Sequence, residues 1–168
     1  MQEIERDTKK ARIVMMCAFA LVLLTLAAVY FFVRPKVVTA KAVNQSGLTG
    51  FSFERQTASG DIKCTMKAED GAARVMLFDS TMGGKRERTM DRVKLQELQE
   101  LIVEEEIYLL DGYYERGPVL GQKNAFTLSI RYEDEKNVNA SGVTLLPPAI
   151  DEYTRVIRAY FYGLFIDE

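Results

Sequence analysis

From Ile13 to Val33 the chain runs 21 residues without one Asp, Glu, Lys or Arg, and this run limits the possible folds more than any other stretch. Its only polar side chains are Cys17, Thr25 and the phenol of Tyr30. As an α-helix it would measure roughly 31 Å at about 1.5 Å per residue, close to a bilayer core of about 30 Å. Unpaired backbone amides are costly in lipid, so such a segment must close its own hydrogen bonds. Arg12 and Arg34 flank the run, and Tyr30, Phe31 and Phe32 lie at its C-terminal end, where aromatic residues are enriched.

The expectation is therefore a basic tail over 1–12, a transmembrane helix over 13–33, a stalk over 34–48 and a globular domain over 49–168. A cleaved signal peptide is the rival reading, because Val38-Thr39-Ala40 offers small residues in a cleavage-like pattern. Against it, a signal core spans about 7–15 residues, and Arg34 and Lys36 stand between the run and that site.

Charge divides along the same line. Residues 1–42 hold seven Lys and Arg against three acids, which leaves 15 basic and 21 acidic residues over 43–168. A net-acidic domain is a poor partner for nucleic acid, whose binding depends on phosphate neutralisation. The basic N-terminal part suits anionic lipid headgroups, so the bilayer is the expected partner there. Four basic residues precede the run and three follow it. The expected topology is single-pass, with a cytoplasmic N-terminus and the domain outside.

Periodicity outlines the domain. Gly50–Arg55 and Ile62–Lys67 alternate apolar and polar residues, and Ala73–Phe78 forms a third strand. Turn signals at Ser59-Gly60-Asp61 and Glu69-Asp70-Gly71 separate them into a meander. Ser80–Gly84 reads as a loop. A helix is expected from about Met90 to Glu105, with Leu95, Leu98, Leu101 and Ile102 on one face and Thr89 as its cap. Phe126–Tyr132 and Asn137–Ser141 form two more strands, and Pro147-Pro148 opens a final helix with an apolar stripe from Ile150 to Leu164. The expected fold is α+β: one antiparallel sheet in the order β-β-β-α-β-β-α, with two helices on one face.

The hairpin Phe126–Gly142, which ends in Ala140-Ser141-Gly142 and leads through Pro147-Pro148 into a helix, resembles a domain of clostridial-type envelope lipoproteins and single-pass envelope proteins of unknown function. The Asp111-Gly112-Tyr113 segment is similar as well. Glu135 stands where that pattern has a turn glycine, and Val143 where it has a serine. The resemblance implies an envelope setting and no catalytic residues.

Histidine is absent, which removes the usual neutral-pH base, the usual zinc ligand and every Ser-His or Cys-His arrangement. No catalytic residue, metal ligand or cofactor site is expected. Four residues are candidates for binding: Asp111 with Tyr113 and Tyr114 as an aromatic, polar-tipped edge, and Arg131 on the outward face of the best-defined strand. Cys64 is assigned to the polar phase of the second strand. The expected function is a membrane-tethered, extracytoplasmic, non-catalytic binding module that takes an envelope protein or polymer. The alternatives are a hydrolase using carboxylates alone (Asp111, Glu115, Glu104, Glu105, Glu106) and a bitopic subunit packed through Ala18, Ala20, Ala27 and Ala28.

Overall fold

A computed structural model describes residues 46–116 and 124–166. The expected transmembrane segment 13–33 lies outside them. No helix among the described residues is long and apolar enough to cross a membrane, so the structure gives the membrane-helix part of the expected fold no support.

Strands β1 (Leu48–Thr57), β2 (Gly60–Glu69), β3 (Ala72–Asp79) and β4 (Gly84–Asp91) form a four-stranded meander. Helix α1 (Val93–Glu104), a 3-10 turn (Ile107–Leu110) and strand β5 (Tyr114–Arg116) follow. Strands β6 (Ala125–Tyr132) and β7 (Asn137–Val143) and helix α2 (Ile150–Ile166) complete the domain. One seven-stranded sheet results, in the order β4-β3-β2-β1-β6-β7-β5.

Two strands depart from the expected order. β4 was not expected because its sequence, GKRERTMD, carries no apolar alternation. It is a border strand, and its dense charge is what keeps an unpaired strand from joining another chain. Its extent pushes the helix start to Val93, where the Asp91 carboxylate accepts the Val93 amide at 2.8 Å in place of the expected Thr89 cap. β5 is only three residues long, too short for a periodic signal, and pairs parallel to β7. The sheet is therefore mixed, not wholly antiparallel.

Both helices cover one face of the sheet. That face carries Phe51 and Phe53 from β1, Cys64 and Met66 from β2, Val75 and Leu77 from β3, and Leu128 and Ile130 from β6, all buried. Leu95, Leu98 and Ile102 of α1 and Ile157, Phe161 and Leu164 of α2 pack against them. The Phe51 and Phe161 rings stack at 5.9 Å between centroids. Two ionic devices fasten this layer. Arg55, buried at the end of β1, donates to Asn124 Oδ1 at 2.7 Å and to Asp151 of α2 at 3.1 Å. Asp79, at the end of β3, accepts the amide and hydroxyl of Thr81, the hydroxyl of Tyr162 at 2.8 Å and Arg158 at 2.8 Å. Burial by itself would raise the Asp79 pKa. The Thr81 and Tyr162 hydrogen bonds and the Arg158 charge outweigh it and hold the carboxyl below its ordinary value.

The same packing corrects the placement of Cys64. Residues 62, 64 and 66 share one phase of a two-residue period, and that phase faces the helices. Cys64 is fully buried, and desolvation raises its thiol pKa far above the usual range. A thiol reagent such as N-ethylmaleimide should leave Cys64 unmodified in the native full-length protein at pH 8, and modify it completely in denaturant. Peptide mass spectrometry reads this out; rapid native labelling would contradict the packing.

Candidate functional site

The sheet's second face is covered by neither helix. Its side chains are the alternate phase of each strand, and the strand register aligns them in rows across the sheet. One row reads Lys67, Gly50, Arg131 over β2, β1 and β6. The next reads Thr65, Ser52, Ser129, and the one after it Lys63, Glu54, Thr127. Side chains two residues apart along a strand lie about 6.8 Å apart, so the rows have that spacing. Met76 and Phe78 of β3 share this face and stay half-exposed, which is unusual cover for apolar side chains on an unpacked surface. Thr65, Lys67, Arg74 and Met76 border a shallow concavity of about 510 Å³.

Electrostatics sort the charges on this face. Glu54 accepts from Lys63 at 3.2 Å. Arg74 is held by Glu87 at 2.6 Å and by Glu69 at 3.4 Å, and Lys85 joins Glu87 at 2.9 Å. The hydrogen bonds from Lys85 and Arg74 lower the Glu87 pKa. Lys67 and Arg131 have no carboxylate partner among the described residues. They face each other from either side of Gly50.

Gly50 shapes that pair. A Cβ at this position would sit 3.3 Å from Arg131 Nε and 3.6 Å from Nη2. The guanidinium therefore lies over β1 at Gly50, where an added side chain would crowd it by a few tenths of an ångström. It extends toward β2, where Lys67 stands.

The four residues expected at a binding site separate here. Arg131 and Tyr114 belong to the open face: Arg131 is exposed on β6, and Tyr114 is 64% exposed beside Ser141 of β7. They do not form one cluster, because β7 and one row of side chains stand between them. Asp111 and Tyr113 are used inside the fold. Asp111 Oδ1 accepts the Asn139 amide at 3.0 Å, and the next amide, Gly112, donates to the Asn139 carbonyl at 3.0 Å. Together these bonds lead the chain into β5. Tyr113 turns to the covered side, with its ring 5.9 Å from Phe126 and its hydroxyl donating to the Leu145 carbonyl at 3.2 Å. The expected aromatic edge is thus split between the two faces of the sheet.

The acidic run is split as well. Glu104 ends α1, Glu105 follows it, and Glu106 takes a left-handed conformation at φ 55° before the 3-10 turn. No group of three or more His, Cys, Asp or Glu side chains among the described residues is placed to hold a metal ion.

Lys67 and Gly50 were absent from the sequence-based candidates. Lys67 was visible as a polar-phase residue of β2. Its position opposite Arg131 depends on β1 lying between β2 and β6, which local pattern does not encode. Compared with known proteins, the chain matches no family model, and no curated protein matches it.

Proposed function

We propose that this domain is a non-catalytic binding module that engages a protein partner through the open face of its sheet. One observation supports the reading above all: among the described residues, an entire face of a seven-stranded sheet is left without a covering layer, and two cations on it lack counter-charges. Sheets with one solvated face normally carry an alternating, charge-balanced polar surface. This face breaks that balance at Lys67 and Arg131 and keeps Met76 and Phe78 half-exposed. Such a mixture of unpaired charge and apolar foothold suits a protein contact. The likeness of residues 126–148 to domains of bacterial envelope proteins adds an envelope setting to the proposal.

Photo-crosslinking side chains installed singly at Thr65, Ser129 and Arg155 of the full-length protein test this in the native host. Thr65 and Ser129 lie on the open face, whereas Arg155 is exposed on α2. A discrete adduct from both face positions and none from position 155 is the expected result. Equal adducts from all three positions, or none from the face, would overturn the proposal.

A further inference from the structure

We propose that Lys67 and Arg131, set on either side of Gly50, form a carboxylate clamp for an acidic side chain of an extended protein segment lying on the open face. The inference rests on the open face being the binding surface and names the chemistry it selects. Neighbouring strands are about 4.8 Å apart, so the Arg131 guanidinium, folded over β1, lies one strand spacing from β2. Charge-assisted N–H···O bonds measure about 2.7–2.9 Å. With the guanidinium over β1 and Lys67 rooted on the adjacent β2, the two side chains can close on one carboxylate, the planar edge of the arginine offering a two-pronged contact.

The surrounding charges reinforce this choice. The carboxylates around the pair are already engaged, Glu69 and Glu87 by Arg74, Glu54 by Lys63 and Glu133 by Arg92. None is left to neutralise the pair internally. The occupant is a protein segment and not a uniform polyanion for two reasons. Residues 43–168 carry 21 acidic against 15 basic residues, so a chain with a charge on every unit is repelled away from this one spot. Met76, on the neighbouring β3, also calls for an apolar contact that such a polymer lacks. A peptide with acidic and apolar residues in alternate same-face positions meets both requirements, because its side chains repeat at the same spacing as the rows.

The test uses the full-length protein and a fluorescein-labelled eight-residue peptide. Every second residue of the peptide is serine, and the others alternate glutamate and leucine. A twin carries glutamine for glutamate. Fluorescence anisotropy should show the glutamate peptide binding at least about tenfold more tightly than its twin, the effect of about one charged hydrogen bond. K67Q and R131Q should each reduce that preference below about threefold. Unchanged circular dichroism and thermal midpoints of K67Q and R131Q establish that the variants fold. Equal binding of the two peptides overturns the clamp, including the case in which residues 1–45 or a second copy of the chain already fill it. An undiminished preference in R131Q overturns it too. Face-specific crosslinks together with equal peptide binding would remove the clamp and leave the open-face reading standing; absent crosslinks would remove that reading itself.

Discussion

Replacing Asp79 by alanine should lower the unfolding free energy by about 3–5 kcal/mol, the cost of removing one partner from a buried ion pair. The Asp79 side chain is only 4% exposed, and one carboxylate serves four donors from three side chains and one amide. Its loss leaves the Tyr162 hydroxyl and the Thr81 amide to find new partners, and removes the anion that holds Arg158. The same bonds tie α2 to the turn between β3 and β4, so the variant loosens a whole layer. Against a typical total of about 5–15 kcal/mol, the loss should lower the melting temperature by more than about 10 °C. Urea unfolding of the full-length protein followed by circular dichroism measures it; a change below about 1 kcal/mol would show that the network contributes little. Asp79→Asn adds the sign of the pH dependence. The folded pKa lies below the unfolded value of about 3.9, so the contribution is fully present above the unfolded pKa and is lost as pH falls through the folded one. The stability gap between Asp79→Asn and the parent should be constant above about pH 5 and narrow below about pH 4.

The second large effect is expected at Phe161. Its ring is fully buried and stacks on Phe51, at the place where α2 meets the centre of the sheet. Phe161→Ala removes that ring from a surrounding that cannot collapse around the gap, because β1 is fixed by partners on both sides. The expected cost is about 3–5 kcal/mol. Phe165, four residues on and only half-buried, supplies the contrast: Phe165→Ala should cost well under half as much. Equal losses at the two positions would mean that α2 is anchored differently from the packing described above.

Much of this architecture is legible from local pattern, and its failures have physical causes. Phe51, Phe53, Leu128 and Ile130 announce their strands because a half-buried strand must alternate. β4 escapes notice because a border strand is chosen for charge, so Lys85, Arg86, Glu87 and Arg88 show no alternation. β5 escapes because three residues hold less than two periods. The long apolar run near the N-terminus dominates a reading of the sequence, yet it falls outside the described residues, and no helix within them is long and apolar enough to cross a membrane. Of the candidate site, Arg131 was legible as an outward residue of a strong strand, whereas the internal bonding of Asp111 and Tyr113 was not. Their side chains bond to backbone groups of Asn139 and Leu145, contacts made across chain separations of 28 and 32 residues. The opposition of Lys67 and Arg131 across Gly50 is likewise a product of strand order.

The pairing of β1 with both β2 and β6 also has a consequence for biosynthesis. A ribosome releases the chain from its front end, so the meander 48–91 is available well before Ala125 leaves the exit tunnel. During that interval the flank of β1 that will receive β6 has no hydrogen-bonding partner, and it belongs to a strand whose only charged residues are Glu54 and Arg55. Closing it requires a contact across roughly seventy to eighty intervening positions, which is slow compared with forming a hairpin. The nascent domain thus passes through a stage in which its future centre is temporarily its rim.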